Sequence, residues 1–61
     1  MPEITYIVRL YCHDGIVEEY EQYDLATAEE LFHTFAEEDY ESVELLSYDY
    51  ATHTETLIKQ N

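Results

Sequence analysis

Ile4-Thr5-Tyr6-Ile7-Val8-Arg9-Leu10-Tyr11-Cys12, His13-Asp14-Gly15 and Ile16-Val17-Glu18-Glu19-Tyr20-Glu21-Gln22-Tyr23 form one continuous stretch, and it sets the fold. Both outer runs are dense in β-branched and aromatic residues. The polar break between them ends in the only glycine of the chain, so the stretch reads as a β-hairpin. A three-residue loop closed by Gly15 in the left-handed conformation places Arg9 opposite Glu19 and Val8 opposite Tyr20. A two-residue Asp14-Gly15 turn would instead set Leu10 against Glu19. The first register makes the better pairs. It puts Ile4, Tyr6, Val8, Leu10, Cys12, Ile16 and Tyr20 on one face and Ile7, Tyr11, Val17 and Tyr23 on the other.

Downstream of the hairpin, Thr27-Ala28-Glu29-Glu30 has the Thr-x-x-Glu form of a capping box, which predicts a helix starting at Thr27 with Glu29 and Glu30 in its first turn. Ala28, Leu31, Phe32, Phe35 and Ala36 then fall at the spacing of one buried stripe. Ser42 to Asp49 and Thr54 to Gln60 read as a second, weaker hairpin with its turn near Tyr50-Ala51-Thr52-His53. The order ββαββ predicts an α+β domain over residues 1–61. Its four-stranded, mostly antiparallel sheet has one helix on one face and the other face open. At 61 residues, folding removes only about 60% of the surface of the unfolded chain, so the core is thin and a deep cleft is not expected.

Fifteen acidic residues stand against two basic ones, for a net charge of −13, although 46% of the residues are hydrophobic. Such an excess repels itself in the compact state. Arg9 and Lys59 are the only permanent cations, which opposes direct binding to nucleic acid. An acidic surface is also repelled by anionic lipid, and no apolar run approaches the roughly 20 residues of a membrane span. The single Cys12 forms no internal disulfide, and the N-terminus does not read as a signal segment, so a cytoplasmic location is expected.

Chemistry-bearing residues are sparse. His13, His33 and His53 lack the close pairing of a zinc motif, and Cys12 reads as a small hydrophobe at a strand end. Glu37-Glu38-Asp39-Tyr40-Glu41 lacks the spacing and the glycine turn of a calcium loop. No catalytic residue, metal or cofactor is therefore expected, and the chain does not read as an enzyme.

The acidic residues are grouped. Glu37, Glu38 and Asp39 are expected at the last helical turn, where each is unfavourable by about 0.3–1 kcal/mol. Glu41 and Glu44 extend that group, and Glu18, Glu19 and Glu21 make a second. With Glu30 these nine residues form the candidate partner-binding surface, the partner being a basic DNA-binding protein. Ile7, Tyr11, Val17, Tyr23, Leu46 and Tyr48 are expected to form an apolar patch on the open sheet face, suited to a homodimer.

In size, charge, tyrosine content and compact α+β plan the chain resembles the small acidic DNA-mimic inhibitors encoded by bacteriophages and mobile elements. Those proteins occupy the DNA-binding surfaces of restriction enzymes, CRISPR nucleases, glycosylases or histone-like nucleoid proteins. The resemblance spans the whole chain and includes no sequence motif, so no residue role is carried over. It implies competitive occupation of a basic groove in the cytoplasm of a host cell, often as a dimer, with the nucleoid protein HU or a defence nuclease as target. The alternative expectation is a general acidic protein-interaction module that takes its specificity from tyrosines and Leu46.

Overall fold

The computed structural model describes residues 3–61. Its elements are β1 (Ile4–Tyr11), β2 (Val17–Gln22), α1 (Leu25–Ala36), β3 (Ser42–Asp49) and β4 (Thr54–Gln60), in the order ββαββ. The strands form one sheet, β2-β1-β3-β4, and every neighbouring pair is antiparallel. Arg9 faces Glu19 and Val8 faces Tyr20, as the three-residue loop requires. The Gly15 amide donates to the Cys12 carbonyl at 3.0 Å, and Gly15 has φ +90°, open to glycine at little cost. The Cys12 amide donates to the Ile16 carbonyl at 2.9 Å, closing the hairpin.

The helix begins three residues before the expected capping box. Asp24 is the N-cap: its carboxylate accepts from the Thr27 amide at 3.0 Å and from the Thr27 hydroxyl at 3.1 Å. Aspartate is a better cap than threonine, and starting at Asp24 adds helical residues without losing one from the stripe. Glu29 and Glu30 therefore lie beyond the first turn, which contains no acidic residue. At the other end Glu37 is the C-cap, and Glu38 and Asp39 fall in the turn that follows rather than in the helix.

The core lies between α1 and the sheet. Val8, Leu10, Ala28, Phe32, Val43 and Leu45 are buried, and Tyr6, Leu31, Phe35, Ala36 and Tyr40 pack against them. Each fully buried large aliphatic or aromatic side chain contributes about 1.5–3 kcal/mol. Phe35 organises the rim: it stacks on Tyr20 at 5.2 Å between centroids and meets Tyr40 edge-on at 5.7 Å. Ile4, Ile16 and Tyr20, expected with the core face, are exposed. The twelve helical residues run about 18 Å, whereas an eight-residue strand runs about 27 Å. The ends of the sheet therefore extend past the helix.

β4 is the least supported strand. The backbone of the helix packs on β1, β2 and β3 but not on β4, whose residues are exposed apart from a half-buried Lys59. A bulge between Leu45 and Leu46 makes Ile58 the extra residue of β4, with Lys59 paired to Leu45 and Leu57 to Leu46. Among the described residues no helix is long and apolar enough to cross a membrane.

Candidate acidic interface

Arg9 occupies the middle of the open sheet face and joins all four strands. From β1 its Nε donates to Glu19 of β2 at 2.6 Å and its Nη2 to Glu55 of β4 at 3.0 Å, while Nη1 lies 3.8 Å from Glu44 of β3. The Tyr11 hydroxyl also donates to Glu44, at 2.9 Å. Burial pulls the Arg9 pKa down. Hydrogen bonds to Glu19, Glu55 and Tyr11 and the charge of Glu19 more than offset this, so the guanidinium is held above its ordinary value. Lys59, the other cation, bonds Glu29 of α1 at 3.1 Å. Both permanent cations are thus neutralised internally.

This network changes the character of the open face. The Arg9–Glu55 pair spans from β1 to β4 across β3, and Leu46 of β3 is only 6% exposed despite facing away from the helix. At the neighbouring end the Tyr50 hydroxyl donates to Glu21 at 2.7 Å, a bond from beyond β3 to β2 that passes over β1. Thr5 of β1 is buried and donates through Oγ1 to the Gln22 carbonyl at 2.9 Å. The bond to Glu21, then burial, raises the Tyr50 pKa.

The expected apolar patch is accordingly broken up. Val17 and Tyr23 are exposed, Ile7, Tyr11 and Tyr48 are half-buried, and Leu46 is inaccessible. A homodimer through this face would have Val17, Tyr23 and Leu57 as its exposed apolar surface, opposed by the carboxylates around Arg9 on both copies. Leu46, almost wholly buried, presents little surface to a partner.

The predicted acidic residues separate into three sets. Glu19, Glu21 and Glu44 lie on the open face and are already bonded to Arg9, Tyr50 and Tyr11. Glu30 stands on the exposed side of α1. Glu18, Glu37, Glu38, Asp39 and Glu41 gather where the first hairpin turn meets the end of α1. Two bonds establish that meeting. His13 Nε2 lies 3.1 Å from Asp39 Oδ1, and the Glu41 amide donates to the Tyr11 carbonyl at 2.8 Å. Tyr40 is in the middle of this group: burial first, then the charges of Glu38 and Glu18, raises its pKa. Cys12, whose Sγ is 3.8 Å from Glu18, is likewise raised by burial and by the charges of Glu18 and Asp14, which disfavours the reactive thiolate. Grouping along the sequence places Glu18 with Glu19 and Glu21 of β2. Alternation along β2 turns it to the helix side, away from Glu19 and Glu21.

Among the described residues, eleven of the fifteen side-chain carboxylates have no lysine or arginine partner. His53, with φ 55°, lies 3.0 Å from the Tyr48 hydroxyl, and His33 occupies the last turn of α1. Among the described residues no group of three or more His, Cys, Asp or Glu side chains is arranged to hold a metal ion. A shallow cleft of about 330 Å³ at the β1–β3–β4 end is lined by Tyr11, Glu41, Ser42, Glu44 and Gln60. Its two carboxylates and tyrosine favour a cationic side chain over an anionic group. No protein-family model matches the chain, and no curated protein or solved structure is detectably similar to it.

Proposed function

We propose that this protein is an acidic DNA mimic that occupies the basic nucleic-acid-binding surface of a DNA-binding protein, such as the nucleoid protein HU or a defence nuclease, and competes with DNA there. The observation that carries the reading is the internal neutralisation of both cations, which leaves a surface of carboxylates with no lysine or arginine free to offset them among the described side chains. The scale is appropriate. Along the 34 Å long axis of the fold, duplex DNA would carry about 20 negative charges, against a net 13 here. Glu18, Glu37, Glu38, Asp39 and Glu41, brought together at one end without a lysine or arginine partner, are the favoured contact.

Competition on purified HU tests this. The chain is expected to displace labelled duplex DNA, with a dissociation constant that rises steeply with salt. Joint replacement E37Q/E38Q/D39N/E41Q is expected to weaken displacement at least about tenfold, a loss of about 1.4 kcal/mol. If duplex DNA and the chain bind HU and a panel of basic nucleases together, or the quadruple variant competes equally well, the reading fails. A second reading is a protein-interaction module without mimicry. It is favoured by the exposure of Ile16, Val17, Tyr20, Tyr23 and Leu25 along and beside β2. In that case the partner stays bound in excess duplex.

A further inference from the structure

We infer that the free edge of β2 accepts an extended lysine- or arginine-rich segment of the partner as a fifth strand, antiparallel or parallel to it. This rests on the proposed acidic role and assigns it a docking mode. The backbone argument is direct. Cys12 and Ile16 form a hydrogen-bonded pair, and in an antiparallel ladder such pairs alternate. Leu10–Glu18, Val8–Tyr20 and Tyr6–Gln22 are then the bonded pairs between β1 and β2. The amides and carbonyls of Val17, Glu19 and Glu21 point away from β1, out of the sheet.

The two edges of the sheet differ. β4 has a bulge at Ile58 and a lysine at position 59, two devices that blunt an edge against pairing. β2 has neither. It is regular, exposed over all but its last residue, and its six positions include Glu18, Glu19 and Glu21. A second copy is an unsuitable occupant, because pairing β2 with itself would bring three glutamates from each strand together with no basic residue. A basic segment is suitable. Its side chains would lie about 4.5–5.5 Å from Glu18 on the helix side and from Glu19 and Glu21 on the open side, which bond Arg9 and Tyr50 through Oε2 and offer Oε1 to a further donor. Apolar members of the segment would meet Val17 and Tyr20, both exposed, with Tyr20 held in place by its stack on Phe35.

The test uses a peptide of alternating lysine and threonine, matched in length to the six residues of β2, and a second peptide of the same sequence N-methylated along one edge. N-methylation keeps the charge and removes the backbone donors. The unmodified peptide is expected to bind at low salt and to slow hydrogen exchange at the Val17, Glu19 and Glu21 amides. The methylated one should bind about tenfold or more weakly, as expected for two or more lost backbone hydrogen bonds. Equal affinity of the two peptides overturns strand addition while leaving an acidic surface that attracts cations. Protection at Glu55 and Leu57 instead would show that the wrong edge was chosen. If neither peptide binds, the docking mode fails. The acidic role would then still stand or fall on the competition with duplex DNA.

Discussion

Removing the charge of Arg9 should destabilise the fold far more than removing that of Lys59, although the two changes are formally identical. In Arg9→Gln, two charge-assisted bonds are lost to partners that are about half exposed, Glu19 at 50% and Glu55 at 44%. Exposed pairs of this kind contribute about 0.2–1 kcal/mol each. The third partner, Glu44, is only 16% exposed and Arg9 itself 18%. Leaving Glu44 without its cation, beside two other carboxylates, adds about 1–2 kcal/mol. The total is about 1.4–4 kcal/mol, out of roughly 3–9 kcal/mol for a domain of this length. At about 4–8 °C per kcal/mol, the melting temperature should fall by roughly 6–32 °C. Lys59→Gln loses one half-exposed pair with Glu29 and should cost under about 1 kcal/mol. Circular-dichroism melts of both variants at low salt and at about 1 M salt, where the screening length is near 3 Å, separate the contributions. The Arg9 gap should narrow with salt, because the stranded carboxylates repel one another less. A loss below about 0.5 kcal/mol at low salt, or equal losses for the two variants, would refute the assignment of Arg9 as the tie between strands.

Two further outcomes are expected. Asp24→Ala should cost about 1 kcal/mol in chemical denaturation, whereas Thr27→Ala should cost less because Thr27 donates to the cap and does not form it; the reverse order would restore the Thr27 capping box. Tyr50 should ionise above the ordinary tyrosine range, so the bond to Glu21 is intact below that range and is lost as the pH rises through the raised value. Tyr50→Phe should remove a late component from the tyrosinate absorbance titration, and an unchanged curve would contradict the bond.

The first hairpin was legible because two local signals agreed. Gly15 supplied the one residue free to take a left-handed turn, and the Arg9–Glu19 pairing selected the register. The bounds of β3 and β4 also followed from composition, but the bulge at Ile58 did not, since β4 has apolar residues on both faces and no periodicity to mark the extra one. At the helix start two N-caps compete: Thr27-x-x-Glu30 has the full capping-box pattern, whereas Asp24 lacks a Glu or Gln three residues on but accepts from the Thr27 amide and adds nearly a turn. The acidic surface was legible as a total and misleading as groups. Proximity along the chain joined Glu18 to Glu19, while the sheet alternation and the turn after α1 put it with Glu38. Nor does a local pattern reveal that Arg9 meets Glu55, 46 residues away, because that contact depends on β3 lying between β1 and β4.

The fourth strand lacks helix cover, and its two charged ties lead to the only cations in the chain: Glu55 to Arg9 of β1, and Lys59 to Glu29 of α1. Beyond its ladder with β3, its anchorage is therefore largely ionic, where the rest of the domain relies on burial. Concentrated salt should accordingly detach the C-terminal segment as a separate event, visible as accelerated amide exchange there, well before the remaining three strands and the helix come apart.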